Sequence, residues 1–387
     1  MKKVYMDYSA TTPVDSRVLE AMKPYFRKYY GNSMSLHSFG VIAKEALEDA
    51  REKVSNLMKA NTKEVIFTGS ATESDNLALK GIAFANKEKG KHIIVSMIEH
   101  HAVLEPAKWL EKQGFEVTYL PVDQYGLIDL KKLEDVIRKD TILVSIIFGN
   151  NEIGTIQDIE RIGKICREKG IYFHSDATQA FGKIPIDVKK MNIDLLTVNA
   201  HKVYGPKGVG GLYIREGIEI EPLLHGGGHE FGLRSSTINV SGIVGFGKVA
   251  EIQKKEMVSD AKKQIKLRDK LIKETLRIED SHLNGHPTKR LPNNAHFWFS
   301  YIEGESLMMQ LDMHGIASST GSACSSGSLE PSHVLLAIGL KHEQAHGSLR
   351  LSIGKYTERE DINYVLEVLP KVVENLRKIS PFKRGWK

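Results

Sequence analysis

Short apolar runs bounded by Gly, Asp or Asn recur along the first two thirds of the chain, at residues 65–68, 93–97, 117–122, 142–148, 172–174, 195–198 and 212–214. Each has the length and boundary of a strand. Between them lie stretches of helical period. Residues 159–169 are the clearest, with apolar positions at 159, 162, 165 and 166, Asp158 placed to cap the start and Gly170 to end it. Strand and helix alternate in this way from about residue 15 to 257, which predicts a mixed, mostly parallel seven-stranded sheet covered by helices on both faces, an α/β architecture. The run Thr-Ile-Leu-Val-Ser-Ile-Ile-Phe, 141–148, suits a central strand buried on both sides. A long charged helical stretch, about 249–277, leads into a different pattern. A strand at 295–300, a helix at 306–313, a small-residue loop at 317–328, a strand at 348–353 and a helix at 360–379 predict a smaller α+β domain.

Composition narrows the class. With 41% hydrophobic and 26% charged residues among 387, the chain reads as globular and not as a disordered or multi-span membrane protein. The net charge of +6 is spread over the whole length, so no direct contact with nucleic acid is expected. The opening Met-Lys-Lys-Val-Tyr-Met-Asp-Tyr turns polar at once, so neither a signal peptide nor a membrane span is expected and the location is read as cytoplasmic. Two cysteines, Cys166 and Cys324, leave no disulfide framework and no cysteine-rich zinc module.

In an open parallel sheet, ligands bind beyond the carboxyl ends of the strands. Polar residues stand at those ends here: Gly69-Ser70-Ala71-Thr72-Glu73, then Glu99-His100-His101, Asn150-Asn151-Glu152, Asp176-Ala177-Thr178-Gln179, and Asn199-Ala200-His201-Lys202. Alone, each has an ordinary reading as a cap, a turn former or a surface histidine; five along one edge argue for a site. A helix N-terminus with Ser70, Thr72 and His201 offers donors to a phosphate. An acid at a strand end can hold a protonated ring nitrogen, and a lysine on the next strand can form a Schiff base with an aldehyde. These are the protein parts that pyridoxal 5'-phosphate requires.

Eight strings make the pattern specific: DYSATTP at 7–13, FTGSATESDN at 67–76, EHHAVL at 99–104, NNEIG at 150–154, HSDATQ at 174–179, NAHKVYGPKG at 199–208, GGGHEFGLRSST at 226–237 and SSTGSACSSGSLEPSHVL at 318–335. With them the chain resembles, end to end, the cysteine desulfurases of the NifS/IscS type in the class V aminotransferase family. The resemblance implies the aspartate-aminotransferase-like fold (fold type I), with a large cofactor-binding domain at 14–257 and a small domain formed by 1–13 and 258–387. It further implies that Lys202 carries the cofactor, Asp176 pairs with the ring nitrogen, Gln179 reaches the ring hydroxyl and His100 stacks on the ring and shuttles protons. Asn151 would touch the ring hydroxyl or the substrate. Ala71, Thr72 and His201 would line the phosphate cup, Thr237 would enter it from a second subunit of a homodimer beside Arg234, and Arg350 would anchor the substrate carboxylate. The chain departs from the pattern in two places: Asn199 stands where relatives carry a phosphate-binding serine, and Gly69-Ser70 stands where they commonly have Ser-Gly.

The two cysteines separate by context. Cys166 falls among apolar positions of the 159–169 helix and reads as a buried structural thiol. Cys324 lies in a stretch of Ser, Gly, Ala and Thr, about 317–330, that would expose a thiol and let it travel. The implied reaction takes L-cysteine to L-alanine and leaves its sulfur on Cys324 as a persulfide. The sulfur would then pass to an acceptor, foremost an iron–sulfur scaffold protein, for which the short basic tail is the family's docking end. Other readings weigh less. His225 and His229 have a zinc-pair spacing, but three glycines separate them; the 205–210 glycines come after the lysine instead of opening a helix, and no Gly-Lys is followed by Ser or Thr. A non-catalytic relative would have lost Lys202, Asp176 or Cys324. A relative acting on selenocysteine or cysteine sulfinate need not use the loop cysteine.

Overall fold

The computed structural model describes residues 2–320 and 331–381. Cys324 lies outside the described residues, as does most of the 317–330 loop.

The strands are β1 (Val4–Tyr5), β2 (Val65–Thr68), β3 (His92–Ser96), β4 (Glu116–Leu120), β5 (Thr141–Ser145) and β6 (Tyr172–Asp176). They continue with β7 (Leu195–Asn199), β8 (Gly210–Ile214), β9 (Ser281–Leu283), β10 (Asn294–Phe299), β11 (Ile316–Ala317) and β12 (Ser348–Ser352). The helices are α1 (Ser16–Met22), α2 (Pro24–Arg27), α3 (Ser38–Leu57), α4 (Ala71–Ala85), α5 (His101–Glu111) and α6 (Leu130–Val136). After them come α7 (Ile159–Lys169), α8 (Val240–Thr275), α9 (Gly304–Met313), α10 (His333–Ala337), α11 (His342–His346) and α12 (Arg359–Ile379).

Seven strands form one sheet in the order β2-β8-β7-β6-β5-β3-β4, parallel throughout except that β8 runs against both of its neighbours. Since β8 opposes both β2 and β7, those two strands share the direction of β3, β5 and β6, and their carboxyl ends meet at one edge. The central strands are buried on both faces, which is why they read as unbroken apolar runs. One face packs against α7, α8 and α3 through Ile162, Cys166, Phe173, Phe246, Val249 and Val54; the other packs against α4 and α5 through Leu77, Ile82, Val103 and Leu110. A second core surrounds the antiparallel sheet β12-β10-β9, where Phe297, Phe299 and Leu349 meet Ile362, Val365 and Leu369 of α12. The N-terminal strand belongs to this second body, since Val4 pairs with Ile316 of β11.

The pattern-based elements recur with shifted edges. Helix α7 spans the anticipated residues, its Asp158 side chain accepting from Arg161 N and Gly170 taking the left-handed conformation at φ 68°. Strand β5 ends at Ser145, three residues short of the apolar run, although Ile146 and Phe148 still donate to His174 O and Asp176 O. The largest difference is α8, which begins at Val240, about nine residues before the charged stretch. Gly242, Gly245 and Gly247 lower the helix propensity there, but they are what the packing requires. A Cβ on Gly247 would stand 2.5 Å from Ala50 Cα of α3, so the two helices touch backbone to backbone. Gly247→Ala is therefore expected to force α3 and α8 apart and lower stability by about 1–3 kcal/mol; urea unfolding of the two proteins side by side measures it.

Candidate active site

Each group at the carboxyl edge of the sheet is set by its strand. Asp176 ends β6, buried, and its Oδ1 accepts from Thr178 N at 2.8 Å in the turn beyond. Two strand positions back on the same face is His174, its Nδ1 2.8 Å from Ser145 Oγ and its Nε2 3.1 Å from Thr197 Oγ1. Beyond β7 the chain makes a tight turn in which Gly205 N donates to Ala200 O and Tyr204 takes a left-handed φ of 72°. Lys202 sits on this turn. Its Nζ donates to Ser9 O at 2.7 Å and to Ala10 O at 2.6 Å.

The N-terminal stretch that supplies those carbonyls is stitched into the turn at several points. Thr12 Oγ1 donates to His201 O at 3.0 Å and accepts from Tyr204 N at 2.8 Å, and Thr11 Oγ1 lies 3.1 Å from His201 Nδ1. Asp7 accepts from Arg350 Nη2 at 3.0 Å, and Ser9 N donates to Ser352 Oγ at 2.8 Å. The 7–13 string thus joins the β7 turn to β12 of the smaller sheet.

His100 caps α5, its Nδ1 accepting from Ala102 N at 3.1 Å, which turns Nε2 outward from the helix. Burial pushes the pKa of this imidazole down; Asp176 opposes that, and Lys202 and His101 add to it, so the His100 ring shares one electrostatic neighbourhood with the acid and the amine. His201 is held neutral, its pKa brought down to about 4 by burial and by Lys202, Lys207 and Lys183. Arg350 on β12 is 4% exposed; Nη1 donates to Asn151 O at 3.1 Å, and Nε has no partner. That buried orphan N–H fits an incoming carboxylate. Asn151 is partly exposed at the β5 turn, and Asn150 shapes that turn by accepting from Glu152 N and Ile153 N at 2.9 Å.

At the start of α4, Ser70 Oγ accepts from Glu73 N, while Ala71 and Thr72 occupy the first two helical positions, whose N–H groups have no intrahelical acceptor. Gly210 of β8 presses against this turn; a Cβ there would stand 2.5 Å from Ser70 C. Two free amides, a hydroxyl and a neutral imidazole suit a phosphate monoester, Asp176 suits a protonated pyridine nitrogen, and the Lys202 amine suits an aldehyde. The donor set fits pyridoxal phosphate. Asn199 is buried at the end of β7 and accepts from Lys202 N through Oδ1 at 3.3 Å, so its carbonyl oxygen shapes the turn and leaves the amide nitrogen as the donor. Thr237 is exposed, and among the described residues no hydrogen bond of its side chain reaches the site; Arg234 ion-pairs with Glu73 at 2.7 Å beside the α4 terminus. Cys166 is buried in α7, its thiol pKa pushed up to about 12 by desolvation, as a structural cysteine requires.

Several groups behind the site escaped the sequence reading. Asp75 of α4 is fully buried, with His174 Nε2 3.6 Å from Oδ1, and burial together with Asp176 and Glu99 pushes its pKa well up. Glu99 accepts from Ile147 N at 2.6 Å and from Ser96 Oγ, and burial raises its pKa to about 8. Glu152 accepts from Ser332 Oγ and is raised to about 7. Glu99 and Glu152 were visible only as polar residues after strands; nothing in the pattern marked Asp75, which lies in a mostly apolar helix. Among the described residues no group of His, Cys, Asp and Glu is arranged to hold a metal, and no helix is long and apolar enough to cross a membrane.

The family model described as aminotransferase class-V matches residues 4–365. Among curated proteins, the chain is 57% identical to "Cysteine desulfurase IscS" of Methanosarcina thermophila over 98% of this chain and 94% of that one. It is 54% identical to "Cysteine desulfurase IscS" of Dictyoglomus turgidum over 100% of this chain and 98% of that one. Among solved structures, a NifS-like protein at 41% identity superposes with a TM-score of 0.92, covering 97% of this chain and all of the other.

The raised Glu99 pKa carries a pH signature. The folded chain keeps the proton up to about pH 8, whereas the unfolded carboxyl releases it near 4.5, so the folded state binds more protons in between and stability falls as pH rises through that window. A single group sets a slope of at most about 1.4 kcal/mol per pH unit. Glu99→Gln is expected to flatten the dependence, leaving the like-signed contributions of Asp75 and Glu152. Urea unfolding at pH 5.5 and 8.0 checks this, and an unchanged slope would contradict it.

Proposed function

The chain belongs to the class-V aminotransferase family, in the fold of its NifS-like members, and from that premise we propose that it is a pyridoxal phosphate-dependent cysteine desulfurase that passes sulfur from L-cysteine through Cys324. The observation that carries the reading is the gathering of the Lys202 amine, the His100 imidazole, the Asp176 carboxyl and the half-satisfied Arg350 guanidinium at one sheet edge.

Bound pyridoxal phosphate supplies an aldehyde that takes up an amine and a ring that accepts the electron pair released when a bond at the substrate α-carbon breaks. Ala71, Thr72, Asn199 and His201 would hold its phosphate, Asp176 its ring nitrogen and Gln179 its ring hydroxyl, with His100 on the ring face. Arg350 binds the substrate carboxylate through Nε and orients the α-carbon toward Lys202. The Lys202 amine takes the α-proton, released from the weak hold of two carbonyls. His100 accepts the proton of the Cys324 thiol, which at an ordinary pKa near 8.5 is mostly un-ionised at neutral pH. The Cys324 thiolate attacks the substrate sulfur; a sulfur–sulfur bond forms as the carbon–sulfur bond breaks, and the products are L-alanine and a Cys324 persulfide. A cytoplasmic setting suits this thiol chemistry, and the acceptor we propose is an iron–sulfur scaffold protein.

A homodimer completes the reading. Phe26, Tyr30, Met34, Leu36 and Phe39 are exposed on one stretch of chain from α2 into α3, Leu36 at 96%, and large apolar side chains grouped in this way suit a protein interface. Exposed Thr237 would then serve the partner's phosphate cup. We divide the subunit into a cofactor domain, 14–257, and a small domain, 1–13 with 258–387, a division that the pairing of β1 with β11 supports.

Three substitutions probe these roles. Cys324→Ala is expected to keep the yellow bound cofactor but to form no persulfide and no alanine above about 1% of wild type; mass mapping of peptides after L-cysteine treatment reads the first, amino-acid analysis the second. Sulfide release unchanged by this substitution would refute the role. Lys202→Ala is expected to lose any borohydride-reducible lysine–cofactor bond. Leu36→Asp is expected to shift the sedimentation mass from dimer toward monomer and to cut activity in proportion.

A further inference from the structure

Lys183 is a lysine the reaction does not call for, placed where a lysine is hard to accommodate. It lies four residues after Gln179 in the turn beyond β6, and its Nζ donates to Gln179 Oε1 at 2.7 Å. The Gln179 Nε2 donates in turn to Ser9 O at 2.9 Å, the same carbonyl that accepts from Lys202 Nζ at 2.7 Å. A chain of contacts therefore runs from Lys183 through the Gln179 amide and the Ser9 carbonyl to the Lys202 amine. Its polarity follows from its two ends. Ser9 O can only accept and the Lys183 ammonium can only donate, so a flipped Gln179 would set oxygen against oxygen on one side and nitrogen against nitrogen on the other.

We infer that Lys183 is a positioning residue of the active site: it turns the Gln179 carbonyl oxygen away from the cofactor position and so presents the Gln179 amide N–H₂ as the donor to the ring hydroxyl. The inference rests on the cofactor reading above. By surface area Lys183 is half-buried, yet its amine is enclosed by protein; desolvation, with Lys202 and Arg350 adding like charge, brings its pKa down to about 7. The groups facing it are Lys202 and His201 from the β7 turn, Arg350 from β12 and Asp260 from α8. Lys183, Lys202, Asp260 and Asn293 line one small cavity, in which Asp260 Oδ2 and Asn293 Oδ1 have no partner. Had the chain needed only to fill this space, an apolar side chain would have done so without a buried amine. The amine is explained by what it holds.

The test compares wild type, Lys183→Met, which keeps the stem and loses the donor, and Lys183→Arg, which keeps a donor. Two readouts stand apart from turnover: the pH midpoint of the bound cofactor's visible band, and the Kd for pyridoxal phosphate from fluorescence titration of the apo chain. A lost donor to the ring oxygen and a lost positive charge both favour the protonated form, so Lys183→Met is expected to raise the midpoint and to weaken the cofactor about tenfold, equivalent to about 1.4 kcal/mol. Lys183→Arg should recover most of both. In a Gln179→Leu background, Lys183→Met should no longer weaken the cofactor, because the amide it orients is gone, and only the smaller midpoint shift due to the lost charge should remain. A wild-type midpoint and Kd in Lys183→Met overturn the inference, as does a weakening of the cofactor that persists in the Gln179→Leu background. If Lys183→Met does not fold, Lys183→Leu, which also lacks a donor, replaces it with the same expectations. Failure of the wild-type chain to bind pyridoxal phosphate would instead strike the cofactor reading itself.

Discussion

Positive charge gathered in a desolvated crevice is the constraint around which this site is built. Lys202, Lys183 and Arg350 approach one another closely enough for each to influence the next, and each needs acceptors there. The protein meets the need mainly with neutral oxygens: the carbonyls of Ser9 and Ala10 for Lys202, the Gln179 amide oxygen for Lys183 and the Asn151 carbonyl for Arg350. Asp7, paired with Arg350 at 3.0 Å, brings an opposing charge. The distinction has a chemical consequence. A carboxylate hydrogen-bonded to Lys202 would hold its ammonium roughly twice as strongly as a carbonyl oxygen such as that of Ser9 or Ala10 does.

The acids behind the site obey the complementary rule. Asp75 and Glu99 lie close enough to Asp176 to be affected by it; burial pushes the Asp75 carboxyl well up and raises Glu99 to about 8, so that Glu99 holds its proton at neutral pH. His174, between Ser145 and Thr197, is held neutral, its pKa brought down to about 3 by burial. With His174 neutral, the imidazole beneath Asp176 does not compete with an incoming protonated ring for that carboxyl. A cationic His174 would do so from two strand positions away. Burial, which is usually described as a penalty, here decides which groups of a crowded set carry charge.

Much of this was legible in the residues, and the reasons for what was not are physical. The seven strands showed because all but the edge strand β4 are largely buried and most are built around a run of apolar side chains. The edge residues Asp176, Gln179, His201 and Lys202 showed because an open parallel sheet leaves its chemistry in the turns after its strands. The start of α8 was hidden because the glycines that let it lie on α3 and α1 are the residues that argue against a helix when read alone. Asp75 was hidden because, in the polar first turns of α4 beside Glu73, it reads as a surface position until the helix is seen packed against β5, β6 and β7. The part played by 7–13 was hidden for a different reason: its contribution is main-chain carbonyl oxygens, and every residue has one. The string DYSATTP was recognisable as a motif, but its effect at Lys202 depends on where its backbone runs.

That backbone also explains how two separately cored bodies make one site. Asp7 bridges to Ser352 beside β12, Ser9 and Ala10 reach Lys202 on the large sheet, and Thr12 closes the β7 turn. Arg350 lies on the smaller sheet yet binds Asn151 of the larger one. On the near side of the segment that holds Cys324, Ser319 pairs its backbone with Arg350 in both directions; on the far side, Ser332 donates to Glu152, next to Asn151. Both described ends of that segment are therefore tied to the wall that would grip the substrate carboxylate. A displacement of the smaller sheet would move the Arg350 guanidinium and the Ser319 anchor together, because they share one residue. Under the proposed roles, carboxylate binding and the placement of the segment that holds Cys324 would be coupled through β12 itself, by a single arginine whose side chain would meet the substrate and whose main chain holds Ser319.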